Sequence, residues 1–284
     1  MERIGVIGLG RMGAAIAQRM AGQGLPVLGW TRSGRSVPGV ACAPDLAALV
    51  AGSDVLVLSL LDDAAVAETL DALMAFDLAG RLVVDTSTVT PGVLIGRSAA
   101  LAARGALAVD APISGGPELV LAGQCGVFVG GDDAEAARAQ AVLAAISGRV
   151  FHVGPLGTGL VMKVINNGML QVYSIGLAQL LPLARKAGLP LETALRIVSG
   201  GPAGLPMIRD RIPKILGEDD EVGFALSAAY KDNAVFRGVL ASYGLDAPVL
   251  SGWDTIRPDV EAAGAWEQDV GALVRVGYDR GGKD

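Results

Sequence analysis

A glycine-spaced turn near the start of the chain restricts the fold more than any other feature. Ile4-Gly5-Val6-Ile7 is a strand-length apolar run, Gly8-Leu9-Gly10-Arg11-Met12-Gly13 follows it directly, and helical periodicity begins at once over Met12–Gln23. Glycines at this spacing are weak evidence alone, and a strand before and a helix after make them strong. The first glycine permits a tight turn, the second lets backbone approach a pyrophosphate, and the third lets helix and strand pack closely. A helix N-terminus in that position offers free N–H groups and the positive end of its dipole to phosphate.

The turn opens a longer pattern. Apolar runs at Ile4–Gly8, Val27–Trp30, Val55–Leu60, Leu82–Asp85, Leu107–Asp110, Gly126–Val129 and Val150–Val153 alternate with helical stretches such as Met12–Gln23, Pro44–Ala51 and Ala64–Ala75. Continuous apolar strands alternating with helices predict βαβ units and a parallel sheet covered on both faces. Beyond Gly157-Thr158-Gly159 the pattern is helical, and no further strand is expected. The fold class is therefore α/β: a Rossmann doubly wound sheet domain over 1–156, then an all-α domain over 157–284. A long interdomain helix, Leu160–Ala187, joins them. Pro182 should kink that helix, and Gly188-Leu189-Pro190 should end it. The last four residues, Gly281-Gly282-Lys283-Asp284, are expected to be disordered.

Bulk properties exclude several function classes. A chain of 284 residues suits two domains, and 51% hydrophobic with only 18% charged residues supplies large cores. Net charge is −6 and the pI is about 4.9, so no basic stripe is present to bind nucleic acid. The longest apolar runs are strand-length, so no membrane span is expected. Cys42 and Cys125 form no disulfide framework or metal spacing, and the first residues lack the features of a signal peptide; a cytoplasmic location is expected. No carboxylate–histidine cluster suggests a metal. The single histidine, His152, is read as structural, Asp62-Asp63 as a helix cap, and Glu218–Glu221 as a solvated loop.

The end of the second strand bears on the cofactor. An acid about twenty residues beyond the glycines binds the ribose hydroxyls of NAD. Here Gly29-Trp30-Thr31-Arg32-Ser33-Gly34-Arg35 contains none. Arg32 can form charge-assisted bonds with a 2′-phosphate, Thr31 or Ser33 can hydrogen-bond it, and Arg35 adds a second positive charge. The expected cofactor is NADP in preference to NAD.

Three further segments carry chemistry. Asp85-Thr86-Ser87-Thr88-Val89-Thr90-Pro91 and Asp110-Ala111-Pro112-Ile113-Ser114-Gly115-Gly116-Pro117 each follow a strand, at the sheet end where open α/β folds bind ligands. Ser114-Gly115-Gly116 exposes successive backbone N–H groups, a cradle for a carboxylate. In Gly159-Leu160-Val161-Met162-Lys163-Val164-Ile165-Asn166-Asn167, Gly159, Lys163 and Asn167 share one helix face among apolar neighbours. A lysine so placed is costly to bury unless it serves proton transfer or finds a partner.

Together these segments resemble the β-hydroxyacid dehydrogenase family, the type of 3-hydroxyisobutyrate dehydrogenase and tartronate semialdehyde reductase. Its pattern of GLGxMG, DxSTxxP, DAPxSGG and GxxxKxxxN is matched at Gly8–Gly13, Asp85–Pro91, Asp110–Gly116 and Gly159–Asn167, and a Lys-Asp element at Lys231-Asp232. The resemblance covers essentially the whole chain. It implies Lys163 as the catalytic acid–base, Asn167 as a substrate-orienting amide, and Ser114, Gly115 and Gly116 as the substrate cradle. It also implies Ser87 and Thr88 beside the nicotinamide ribose, Lys231 near cofactor and substrate, and assembly as a homodimer or homotetramer. Lys163 is then expected at the mouth of an interdomain cleft, within reach of the nicotinamide.

The expected reaction is hydride transfer between NADP(H) and a short β-hydroxy acid or the matching semialdehyde. Imine reductases share the fold but usually carry Asp or Tyr at the lysine position, and a catalytically silent NADP-binding module would not need Lys163, Asn167 and Ser114 together. Three features depart from the family pattern: Pro117-Glu118-Leu119-Val120 after the cradle, where small residues are usual, Pro182, and the glycine-rich Ser199–Gly204.

Overall fold

The computed structural model describes residues 1–282, and the chain divides into two compact units, Met1–Asn166 and Asn167–Asp284. The first unit contains, in order, β1 (Ile4–Ile7), α1 (Arg11–Gly22), β2 (Val27–Trp30), β3 (Ala41–Cys42), α2 (Leu46–Ala51), β4 (Val55–Leu58), α3 (Asp63–Leu73), β5 (Leu82–Asp85) and α4 (Pro91–Ala103). Then come β6 (Leu107–Asp110), β7 (Ile113–Ser114), α5 (Pro117–Ala122), β8 (Gly126–Gly130), α6 (Asp133–Leu143), β9 (Val150–Gly154) and the start of α7 (Thr158–Lys186).

The strands form one sheet in the order β3-β2-β1-β4-β5-β6-β8-β7, with β9 paired to β8. Side-chain alternation sends Val6, Val55, Val57, Leu82 and Val84 into a core with α1 and α6. Ile7, Leu56, Leu58 and Val83 enter the opposite core with α2, α3 and α4. Both faces are buried, which is why these strands read as unbroken apolar runs.

The five strands β2, β1, β4, β5 and β6 are parallel and in step: Ile7 faces both Trp30 and Leu58, Leu58 faces Asp85, and Asp85 faces Asp110. The register therefore delivers Gly8, Thr31, Thr86 and Ala111 to the same sheet end. β1 lies between β2 and β4, so the strand order reverses there, at the position where such sheets accept ligands.

The expected parallel sheet is found over most of its width, and at its far side β8 runs antiparallel to β6 and β7. A parallel return needs a long helical crossover, whereas the segment between β6 and β8 holds only β7 and the short α5. Parallel pairing resumes between β8 and β9, around α6.

The second unit contains the rest of α7, then α8 (Leu191–Gly200), α9 (Pro206–Leu216), α10 (Leu226–Ser242), α11 (Pro248–Ala262) and α12 (Ala272–Arg280). Among the described residues it holds no strand, only an isolated bridge between Ala225 and Asp269. α7 has two buried sides here: Ile175 and Ala178 pack with α10, α11 and α12, and Leu177 and Leu181 pack with α8 and α9. The helix is continuous through Pro182.

A buried polar network ties three helices of this unit. The Asn233 amide donates to Gln171 Oε1 at 2.8 Å and to the Leu250 carbonyl at 3.2 Å, and Trp253 Nε1 donates to the Gln171 carbonyl at 3.1 Å.

The expected disorder of the tail does not extend to Gly281. It is buried, and a methyl added there would stand 2.3 Å from the Pro182 carbonyl. Close helix packing thus needs the missing side chain. Lys283 and Asp284 lie outside the described residues.

Candidate active site

The phosphate-type turn has the geometry its glycines predict. Gly8 has φ +94°, and a Cβ there would lie 2.3 Å from the Ser59 carbonyl. A Cβ on Gly13 would lie 1.9 Å from the Gly8 carbonyl, so α1 and the turn touch backbone to backbone. Gly10, by contrast, has nothing within 4 Å of its missing side chain. It is the N-cap of α1, no side chain caps that helix, and its first turn carries no acid. Open space beside uncapped N–H groups fits the pyrophosphate of a dinucleotide. Leu9 is buried in the core, while Arg11 and Met12 begin the helix.

At the end of β2, Thr31 begins a turn in which the Gly34 N–H donates to its carbonyl at 3.1 Å. Arg32, Ser33 and Arg35 are exposed, and Arg32 pairs with Glu68 of α3 at 3.0 Å. Both partners are largely in solvent, so the pair is weak and an incoming phosphate can compete for the guanidinium.

Ser87 is buried. Its hydroxyl accepts the Leu60 N–H at 3.0 Å and its own N–H donates to Asp85 Oδ1 at 2.9 Å, so it ties the ends of β4 and β5 together. Thr88 is half-buried beside it.

Lys163 is 6% exposed, and its ammonium donates to the Ile113 carbonyl, immediately before Ser114. Asn166, a residue the sequence reading did not select, donates to Ser114 Oγ at 2.8 Å. The start of α7 and the Ser114-Gly115-Gly116 segment are thus held together by two side chains one turn apart. Gly115 takes φ +123°, which a side chain would strain, and Gly116 is the N-cap of α5, again without a side-chain cap.

Glu118 alters this cradle. Its carboxylate folds over Gly116, close enough that a Cβ there would stand 2.3 Å from Oε1. Asn167 and Lys231 belong to the second unit. Asn167 is half-buried on α7, and Lys231, on α10, pairs with Asp232 at 3.1 Å.

Two buried carboxylates, Asp85 and Asp110, end the adjacent strands β5 and β6. Asp110 Oδ1 accepts the Gly157 N–H at 2.6 Å and Oδ2 accepts the Leu160 N–H at 2.7 Å. Burial pushes Asp110 up to about 6, against the pull of these and neighbouring amides. Burial also pushes Asp85 up to about 6, opposed by its bonds to Ser87 and reinforced by the charges of Asp110 and Asp63. Among the described residues, Asp85 Oδ2 has no hydrogen-bond partner.

The secondary readings fall out simply. Asp62 caps α3 by accepting the Ala65 N–H at 2.9 Å, while Asp63 binds Thr90. His152 meets the Gly131 carbonyl at 2.8 Å. Glu218–Glu221 is anchored by Lys214, which pairs with Asp219 at 2.8 Å. Among the described residues no group of His, Cys, Asp and Glu is placed to hold a metal ion, and no helix is long and apolar enough to cross a membrane.

Comparison with known proteins places this geometry. The family model for the NAD binding domain of 6-phosphogluconate dehydrogenase matches residues 3–154, and the NAD-binding model of NADP-dependent 3-hydroxyisobutyrate dehydrogenase matches residues 157–277. A solved structure of Mycobacterium tuberculosis 3-hydroxyisobutyrate dehydrogenase with L-serine is similar at a TM-score of 0.86 and 28% identity, covering 96% of this chain and 98% of that one. An NAD-dependent L-serine dehydrogenase of Pseudomonas aeruginosa is 36% identical over 213 residues, 71% of each chain. A 2-(hydroxymethyl)glutarate dehydrogenase of Eubacterium barkeri is 28% identical over 284 residues, 96% of this chain and 94% of that one. With matches in both halves and an uncapped dinucleotide turn at the sheet's switch point, the chain belongs to the β-hydroxyacid dehydrogenase family: an NAD(P)-binding oxidoreductase that acts on small molecules.

Proposed function

We propose that this enzyme transfers hydride between NADP(H) and a short β-hydroxy acid or the matching semialdehyde, with Lys163 as its general acid–base. The observation that carries this reading is a buried lysine whose ammonium is seated on the Ile113 carbonyl, at the edge of the Ser114–Gly116 cradle. Bound NADP(H) would supply the hydride for reduction and NADP would accept it in oxidation. Nζ of Lys163 gives a proton to the substrate oxygen as an alkoxide develops there, or accepts the hydroxyl proton in the reverse direction. A positive charge at that oxygen also stabilises the developing alkoxide.

In this reading Ser114 and the N–H groups of Gly115 and Gly116 orient the substrate, with Asn167 and Lys231 also contributing. Gly8, Leu9, Gly10, Arg11, Met12 and Gly13 would hold the cofactor, and Ser87 and Thr88 would meet its ribose. Thr31, Arg32, Ser33 and Arg35 receive the 2′-phosphate, because no acid stands where an NAD enzyme places one. Residues 1–156 then serve as the cofactor domain and 157–284 as the substrate and oligomerisation domain. Leu180 and Leu183, 71% and 72% exposed on α7, support assembly as a homodimer or homotetramer. The expected location is the cytoplasm.

The test is a spectrophotometric panel of semialdehydes, 3-hydroxy acids and one cyclic imine, each with NADP(H) and NAD(H). Turnover confined to the imine would replace this reading with an imine reductase, and no turnover at all would favour a binding module. On the best substrate, Lys163→Ala should cost roughly two to four orders of magnitude in turnover while NADPH binding persists. Near-normal turnover would remove Lys163 from the mechanism.

A further inference from the structure

We propose that Asp110 is a positioning residue for Lys163, acting through the first turn of α7; the proposal rests on the reading of Lys163 given above. An α-helix begins with N–H groups that have no partner within the helix, and α7 begins inside the protein. Asp110 supplies the missing acceptors from the end of β6. One carboxylate oxygen takes the Gly157 N–H at 2.6 Å, and the other takes the Leu160 N–H at 2.7 Å. Both oxygens are used, so the carboxylate fixes the direction in which α7 leaves the sheet as well as where it begins. Lys163 lies three residues beyond Leu160, one turn along the same helix. The ammonium reaches the Ile113 carbonyl only while that turn is seated, and Ile113 itself follows Asp110 on the same strand path.

The surroundings are shaped around the carboxylate. A Cβ on Gly130 of β8 would stand 2.3 Å from Asp110 Oδ1, and a Cβ on Gly159 would stand 2.8 Å from Oδ2 and 2.3 Å from the Phe128 carbonyl. Gly159, the first residue of the lysine motif, is thus a glycine because α7 starts directly on this carboxylate and on the β8 backbone. Asp110 is fully buried, so water cannot replace it as acceptor.

Charge adds to the geometry. A carboxylate at a helix N-terminus faces the positive end of the dipole and makes charge-assisted bonds, roughly twice as strong as neutral ones. The nearest acid is Asp85 on the adjacent strand, with Asp63 of α3 beside Asp85, and Lys163 follows one turn along α7. Among the described residues Asp110 is the acid that accepts from the start of α7, while Asp85 bonds to Ser87 and Asp63 to Thr90. When Asp110 takes up a proton, one oxygen becomes a donor facing an amide N–H, and the seat of the helix loosens.

The test is a double-mutant cycle on the full enzyme with NADPH and the best substrate of the panel. Asp110→Asn puts an amide NH₂ against one backbone N–H and should lower kcat at least tenfold, with the Kd for NADPH changed less than about twofold. In a Lys163→Ala background the same substitution should have almost no further effect, because the residue it positions is gone. The unaltered enzyme should lose kcat reversibly below about pH 6, with its circular dichroism intact, and Asp110→Asn should lack that acid limb. If Asp110→Asn fails to fold, the unaltered enzyme decides instead: full kcat at about pH 5 would overturn the role. Normal kcat in folded Asp110→Asn beside an inactive Lys163→Ala would overturn the positioning role alone. An equal loss in both backgrounds would also overturn it. An active Lys163→Ala would overturn the catalytic reading and the positioning role with it.

Discussion

Asn233→Ala tests whether a buried amide holds the helical unit together. The Asn233 side chain is 2% exposed and spends both N–H bonds inside the protein, on Gln171 Oε1 at 2.8 Å and the Leu250 carbonyl at 3.2 Å. Gln171 has no spare freedom to find another donor. Its Nε2 is committed to the Ala229 carbonyl at 3.1 Å and its own carbonyl receives Trp253 Nε1 at 3.1 Å. Alanine therefore leaves Gln171 Oε1 buried without a donor, at about 1–3 kcal/mol, and weakens the second acceptor. Adding the small void left behind, the expected loss is about 2–4 kcal/mol, or roughly 6–15 °C in Tm for a unit of this size.

The assay is urea or thermal unfolding followed by tryptophan fluorescence, since Trp253 and Trp266 both belong to this unit. Asn233→Asp provides a second readout with a fixed sign. A buried carboxylate facing two carbonyl oxygens has a raised pKa in the fold, so its stability is fully present below the unfolded pKa of about 4 and is lost as pH rises. That variant should be more stable in acid, where a protonated oxygen supplies one of the amide's two donors, than at neutral pH. A loss below about 0.5 kcal/mol for Asn233→Ala would refute the reasoning.

The remaining predictions concern the first unit. Arg32→Ala should raise the KM for NADPH by roughly ten- to a hundredfold, the loss of one charged bond of about 1.5–3 kcal/mol, with little effect on NADH. Glu68→Gln, which frees Arg32, should lower that KM, and equal use of both cofactors by the unaltered enzyme would contradict the assignment. Asp85 is raised to about 6 by burial, so its contribution to stability is fully present below about pH 4 and is lost as pH rises through 6. Asp85→Asn should consequently be more stable than the parent above pH 7, by on the order of 1–3 kcal/mol in urea titrations, and no more stable at pH 4. Glu118→Gln removes a negative charge from the cradle and should raise kcat/KM for carboxylate substrates several-fold. A fall instead would show that Glu118 helps to bind them.

Much of this was legible in the sequence, for identifiable reasons. Strands buried on both faces are unbroken apolar runs, so five parallel strands and their ligand-binding ends could be read directly. β3 and β7 could not, because two-residue strands carry no periodicity, and without β7 the antiparallel return through β8 has no signal. Polar residues were legible by type and motif but not by partner. Asn166 and Asn167 are adjacent and chemically identical, and only the fold shows that Asn166 reaches Ser114. Asp110 read as part of a turn motif, while its role at the start of α7 depends on a segment some fifty residues away. The Gln171–Asn233–Trp253 network had no signal, since each member is unremarkable until three helices meet.

The contact of α12 with α7 bears on how this protein can be made more durable. Replacing helical glycines with alanine is a common route to thermostability, worth roughly 0.5–1 kcal/mol per site where the new methyl meets nothing. Gly96 in α4 and Gly238 in α10 qualify, with no atom within 4 Å of the missing Cβ. Gly277 in α12 looks identical to any propensity scale, yet its methyl would stand 2.4 Å from the Ala178 carbonyl and 2.5 Å from that residue's Cα. Neither is a side chain that can turn aside, so the whole of α12 would have to lift away, and the Gly281 contact with Pro182 one turn later would go with it. The same substitution is therefore a gain at two helices and a loss at a third, and a library that treats the glycines alike would discard its own improvements.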